Sequence, residues 1–499
     1  MLSSTLASPG NVTLVANQRR ARLSWLAWFA GSIGLALLIA ILMVWAGPDL
    51  SQIAWIIYLA GAIIIIRQPR HGIYLITFLT IVGDALLTPT YPFAKNFSSP
   101  ESLLYVHDAL IFSPLEGYLV LALLTWLIRG VAQRKLDLYK GPLFWPTLIF
   151  ALFSVFGLGH GIATGGDVTI ALWEARAIFY LPLMILLTSN LIKESKQFNY
   201  LIYSAMAALI LEGVIGVIYI FVELGPRWRE VPAITEHPAA IHMNTLFVLV
   251  IAAWLFKASY AKRLVLPLLI PPVLITYLVT QRRAAFVALA LAIVFLLIAL
   301  YFERRYLFWL IIPPLAVAGT LYLMAFWNAG GVLGGPAQAI KTIIAPDQLS
   351  QTDQSSNYYR FLENTNISFT IHNAPLLGIG FGHKFHVTVP LPDISMFVWY
   401  EYITHNSVLW IWIKMGVGGF FSLLYLLGMS IVSGGRAVRR IPAGDTRLIA
   451  LAATLYLIMH FVFAYVDMAW DGQSMIYGGA MSGVINRLNA ADAKDLPNE

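Results

Sequence analysis

Apolar residues run along this chain in blocks of about 17 to 25 positions, the length an α-helix needs to cross the hydrocarbon core of a bilayer. Polar and charged residues gather in the gaps between the blocks. The pattern predicts spans near 24–46, 50–66, 71–89, 108–128, 143–163, 176–192, 198–223, 239–256, 264–280, 284–302, 306–326, 405–433, 448–466 and 473–486. The first block follows Arg19, Arg20 and Arg22 and is too long for a signal-peptide core, so it reads as a retained span with a cytoplasmic basic flank. One hydrophilic segment, 327–404, interrupts the pattern: a Gly-rich turn (NAGGVLGGP), a polar helix over SSNYYRFLENTNISFTI, then APLLGIGFGHKF. The expected fold class is an all-α polytopic membrane protein of about 12–14 transmembrane helices with one long exoplasmic loop containing short helices. Its parts are a tail at 1–22, a transmembrane bundle at 23–326, the loop at 327–404, C-terminal transmembrane helices at 405–488 and a tail at 489–499.

Composition agrees: 59% of the 499 residues are hydrophobic and 11% charged, so most of the chain must lie in lipid. The absence of cysteine excludes disulfides and thiol chemistry. Positive charge recurs in alternate loops, at Arg67 and Arg70, Arg129 to Lys140, Lys193 and Lys196, Lys257 to Arg263, Arg304 and Arg305, Arg436 to Arg447, and Arg487 with Lys494. That parity places both termini in the cytoplasm and the 327–404 loop on the outer face. The basic pI of about 9.3 mostly reflects these cytoplasmic loops and points to no nucleic acid.

A few cations break the rule. Arg227 and Arg229, the Arg282-Arg283 corner, Arg360 and Lys384 fall on the translocated side. Arginines held there against the insertion bias point to an anionic ligand, since a guanidinium pairs with phosphate in a bidentate way. The plainer reading pairs each with a carboxylate such as Glu230 or Glu363.

The most site-like motif is His405-Asn406, nine residues, then Gly416-x-x-Gly419. On an ideal helix Leu409, Trp412, Gly416 and Gly419 lie within roughly 40° of His405, and the glycines would let a neighbouring backbone pack close beneath the imidazole. The aromatic residues of the loop suit sugar faces or the membrane interface. Gly378, Gly380 and Gly382 are spaced G-x-G-x-G, without the strand and helix that nucleotide binding requires. His372, His383, His386 and Asp393 are weak as metal ligands, so no metal and no cofactor are expected. Asp84, Glu116 and Glu212 fall inside predicted spans and read chiefly as structural pairs. Glu174 and Arg176 either pair with each other or bracket a ligand; Asp467 and Asp471 stand where they could hold His405 or an arginine; His237 stands where it could form cavity wall.

The H-N-(x9)-G-x-x-G pattern, the upstream PLLGIGFG with Tyr359 and Arg360 before it, and the R-R-A-A corner together resemble the O-antigen ligase family, which groups O-antigen ligases, O-antigen and exopolysaccharide polymerases and protein O-oligosaccharyltransferases. The resemblance is strongest over 231–434. The family corner usually reads Ser-Arg-Gly, which makes Arg283 the better match and Arg282 an extra contact. The resemblance implies a GT-C-like architecture and en bloc transfer of a glycan from undecaprenyl-diphosphate to an acceptor hydroxyl of a glycan or glycolipid, metal-free and with inversion. In that chemistry His405 would be the general base, Arg283 and Arg360 would stabilise the diphosphate with Arg282, Arg176 and Arg227 secondary, and Asn406 would orient the ring or substrate. The rival is a transporter or flippase of a lipid-linked or anionic solute, against which stand the absence of a span repeat and of paired broken helices. A second rival, a metal-dependent transferase, would need Asp49.

Overall fold

The computed structural model of the chain describes residues 50–489 apart from 135, 230, 232 and 394–398. The 24–46 span, the 1–22 tail, Asp49 and nearly all of the 489–499 tail lie outside the described residues. The described residues form α1 (Leu50–Arg67), α2 (Pro69–Val82), α3 (Pro114–Ala132), α4 (Phe144–Ala163), α5 (Val168–Leu191), α6 (Ser195–Ile218), α7 (Ala239–Leu255), α8 (Tyr260–Leu268), α9 (Ile270–Thr280), α10 (Arg283–Glu303), α11 (Arg305–Phe326), α12 (Gly331–Ile344), α13 (Gln351–Asn373), α14 (Ser407–Arg440), α15 (Asp445–Val466) and α16 (Gly472–Leu488). Every predicted span within them is met by a helix, with α8 and α9 forming one bent pair that turns by 44° where Pro267, Pro271 and Pro272 cluster.

Among the described residues nine helices are long and apolar enough to cross a membrane, or ten if the bent pair counts as one span. The chain is thus a multi-pass, all-helical membrane protein. The predicted spans that fall short of that test are α2, α7 and α16, of 14, 17 and 17 residues. At 1.5 Å per residue they are about 21–26 Å long, less than the hydrocarbon thickness. They are tolerated because their residues are largely buried: backbone that ends early is costly against lipid but not against protein. α11 is the opposite case and buries none of its residues.

The boundaries follow local chemistry. Ser113 and Glu116 form a reciprocal capping box, with Pro114 at the first position of α3, so this helix starts later than its apolar run and Glu116 is a cap rather than an intramembrane acid. Likewise α2 stops at Val82, and Asp84 accepts from the amides of Leu86 (2.9 Å), Leu87 (3.0 Å) and Glu236 (2.7 Å), tying two loops together. Glu212 stays within α6 and is buried.

The helix expected as one regular stripe below His405 is broken. Gly416 takes φ of 66° inside α14, which interrupts the helical ladder and leaves backbone groups to be satisfied elsewhere. The 375–382 loop satisfies them: Ile379 N donates to the Ile413 carbonyl at 2.7 Å, and Val417 N donates to Pro375 O at 3.1 Å. A Cβ on Gly416 would come within 2.2 Å of the Leu376 carbonyl. Backbone does pack close at Gly416, but by kinking the helix. Gly419 instead abuts Met415 of its own helix. The G-x-G-x-G run is the other half of this arrangement, all three glycines having positive φ and threading between α4, the start of α5 and α14.

Candidate active site

Loops at one end of the bundle converge with the 327–404 segment on a cavity of about 770 Å³. Its wall includes His405, His237, Arg282, Arg176, Glu174, Glu236 and Asp471, interleaved with Trp173, Trp410 and Trp470. Rings beside cations make a surface suited to a sugar joined to an anion.

Asn406 caps α14, its side chain accepting from Leu409 N at 3.1 Å. That oxygen is engaged with backbone, so Asn406 supports the helix start rather than the ring, and leaves His405 as the last residue before the helix. The imidazole is held by Glu363 of α13: one carboxylate oxygen accepts from His405 Nδ1 at 3.2 Å and the other from the His405 amide at 2.9 Å. A carboxylate only accepts, so Nδ1 carries a proton and Nε2 is the free nitrogen of a ring that lines the cavity. Glu363 is 2% exposed at its side chain and His405 20%, so the carboxylate is buried and the imidazole accessible. Tyr359, one turn earlier on α13, presents its ring at 72° to the imidazole, 5.4 Å away.

A second imidazole is held in the same manner. His237 Nδ1 lies 2.6 Å from Asp467 Oδ1, and Arg360 Nη2 lies 3.9 Å from the other Asp467 oxygen. Burial pushes the Asp467 carboxyl up, but His237, Arg360 and Arg282 together outweigh it and hold the group well below the usual range. Asp467 therefore serves His237 and an arginine and not His405, while Asp471 caps α16 by accepting from Gln473 and Ser474 amides. The loop that carries Asp467 is pinned to α14 by Ser407, whose hydroxyl donates to Asp467 O at 3.0 Å and accepts from Ala469 N at 3.0 Å.

The adjacent arginines separate. Gln281 adopts a left-handed conformation, φ 53°, and the corner it makes sends Arg282 into the cavity wall. Arg283 faces the outer helices instead, bonding Thr342 of α12 at 2.9 Å and pairing with Asp353 of α13 at 3.3 Å. Of the pair, Arg282 lines the cavity and Arg283, the better match to the motif, docks the loop helices. Arg360 stands behind Asp467, bonding Ser356 at 2.8 Å. Arg176 lines the cavity, donating to the Ile111 carbonyl at 2.6 Å and standing 3.5 Å from Glu116. Arg227 sits exposed in a short 3-10 turn and does not reach the cavity.

Glu174 does not pair with Arg176. It meets Lys414 of α14 at 2.8 Å, with neither side chain exposed, and accepts from Gly382 N at 2.7 Å. Lys414 also donates to the His383 carbonyl at 2.6 Å. This buried pair fastens the glycine loop to two helices. His383 Nε2 is engaged by the Thr164 hydroxyl at 2.9 Å, and among the described residues no group of three or more histidines and carboxylates is placed to hold a metal ion.

Glu363 and Lys414 are the functional-looking residues that sequence reasoning missed. A usable signal for Glu363 was present: Tyr359, Glu363, Asn366 and Thr370 recur at helical spacing, and all four are buried, marking the polar face of α13 as the inner one. Lys414 stands in an apolar run, where a cation implies a buried partner, but nothing in the spacing names Glu174.

Residues 268–424 match the family model described as O-antigen ligase. No curated protein matches the chain. The matched stretch holds Arg282, Arg283, Arg360, Glu363 and His405, whereas His237, which lines the cavity, and its partner Asp467 lie outside it. By that match residues 268–424 of this multi-pass membrane protein are similar to the O-antigen ligase family domain.

Proposed function

We propose that the protein moves a glycan en bloc from undecaprenyl-diphosphate to an acceptor hydroxyl at the outer face of a bacterial cytoplasmic membrane, without a metal. The observation that carries this reading is the His405–Glu363 pair at the cavity wall, a proton acceptor whose free nitrogen is set by a buried carboxylate. The acceptor O–H gives its proton to His405 Nε2 as its oxygen bonds the anomeric carbon from the side opposite the phosphate. The bond from that carbon to the phosphate oxygen breaks, and its electron pair leaves with the diphosphate. Inversion follows from the single displacement. Arg282 and Arg176 supply positive charge where the anion develops; Arg360 acts through Asp467, and Arg283 by seating α12 and α13. The charge pattern of the loops supports this end of the bundle being the outer one, with both termini cytoplasmic.

The test uses purified protein with a defined undecaprenyl-diphosphate oligosaccharide and candidate acceptors. Release of undecaprenyl diphosphate with glycan-extended acceptor supports transfer, and persistence of the rate with a chelator present supports metal independence. Unchanged donor moved between leaflets would instead make the protein a transporter. His405→Ala should lower the rate by about 10²–10⁴-fold while donor binding stays near the parent value, and Arg282→Ala should weaken donor binding as well.

A further inference from the structure

Two imidazoles line this cavity, and each is mounted the same way. His405 is anchored through Nδ1 by Glu363 and His237 through Nδ1 by Asp467; the carboxylates are 2% and 3% exposed and the rings 20% and 30%. The ring centroids are 6.5 Å apart at 66°, so both rings stand at the same part of the cavity. A single displacement has two proton-sensitive ends, the hydroxyl that loses a proton and the phosphate oxygen that gains an electron pair. In a single displacement the attacking and leaving oxygens lie on opposite faces of the anomeric carbon, so one histidine serves only one of them. The surroundings of the two rings differ. His405 has Glu363 and the Tyr359 ring beside it. His237 stands against Asp467, with Arg360 behind that carboxylate, Arg282 and His405 across the cavity, Asp471 in the loop that carries Asp467 and Glu236 next to it in sequence.

We propose that His237 is a second catalytic residue, the general acid that meets the departing diphosphate while His405 takes the acceptor proton, with Asp467 as its positioning carboxylate. This rests on the transfer reading above. The balance is complete: the acceptor proton goes to His405 Nε2, the new glycosidic bond forms as the carbon–oxygen bond to phosphate breaks, and His237 Nε2–H gives its proton to the oxygen that leaves. The histidines are reset by proton exchange with solvent. The site of departure is thereby placed beside Arg282 and Asp467, and the acceptor beside Glu363 and the loop helix α13.

The two roles have opposite pH requirements. A base must be free to accept the acceptor proton and an acid must carry the one it gives, so the base sets the acidic limb of the kcat profile and the acid its alkaline limb. The enzyme with transfer activity is compared with His237→Gln and Asp467→Asn, each checked for monodisperse elution and for donor affinity. His237→Gln should lose about 10²–10³-fold in kcat with donor affinity within about threefold, and its pH profile should keep the acidic limb and lose the alkaline one. Asp467→Asn, which removes the anion that favours the imidazolium, should move the alkaline limb to lower pH. A His237→Gln enzyme with parental kcat and both limbs, or one whose whole defect is weaker donor binding, overturns this assignment alone. A parent enzyme that releases no undecaprenyl diphosphate overturns the transfer reading and this assignment with it.

Discussion

At the scale of single residues the cavity wall sets accessible imidazoles on buried carboxylates. His405 was identifiable from its motif, yet its partner was not, because Glu363 lies 42 positions earlier and stood in the sequence as one of several carboxylates near arginines. Removing that partner tests the pairing: Glu363→Gln should keep the fold and donor binding while kcat falls by about 10²–10⁴-fold, since a misoriented or wrongly protonated ring cannot take the acceptor proton. Glu236 offers a pH test independent of catalysis. Burial first, then the charges of Asp84 and Asp471, push its carboxyl up to about 8. A carboxyl that holds its proton more tightly when folded costs stability as pH climbs from about 4, the unfolded value, through its folded one. Glu236→Gln should therefore melt higher than the parent at pH 8, by on the order of a few degrees, and the difference should vanish below pH 4. A difference that grows on acidification would contradict this sign.

At the scale of elements the decisive feature is the mutual fit of the α14 kink and the 375–382 loop. The sequence marked both with glycines, but periodicity treats a helix as continuous, and so the Gly416 position read as part of a smooth stripe. The kink became visible only once a second backbone was there to accept and donate in place of the missing turn. Gly416→Ala combines a left-handed backbone with a clash on the Leu376 carbonyl, and should destabilise by more than about 2 kcal/mol. Gly428→Ala, with open space around it on the same helix, should be neutral or stabilising by up to about 1 kcal/mol. Thermal melts of the two variants in one detergent check the contrast. The Glu174–Lys414 pair holds the same loop from inside. Lys414→Met leaves a buried carboxylate unpaired and should cost about 3–5 kcal/mol, whereas adding Glu174→Gln should recover part of that loss.

At the scale of the whole molecule the orientation proposed from the basic loops, with the cavity outside, is open to a direct test. The chain has no native cysteine, so single cysteines report sidedness cleanly. Tyr358→Cys, at a position 59% exposed on α13, should react with a membrane-impermeant maleimide in spheroplasts. Lys257→Cys, exposed between α7 and α8, should react only after permeabilisation; the reverse pattern would place the cavity in the cytoplasm.

Membrane class, the places of the spans, the long polar segment with its helix and the histidine motif were all readable from the chain alone. Each depends on local composition or on spacing along one helix, which the bilayer and helical geometry translate directly into structure. Which arginine faces the cavity, which carboxylate holds which histidine, and where a helix breaks were decided only in three dimensions. Those outcomes depend on partners dozens to hundreds of residues away. Arg282 and Arg283 are adjacent and chemically identical, and only the corner at Gln281 and the presence of Asp353 and Thr342 on separate helices send one into the cavity and the other out of it.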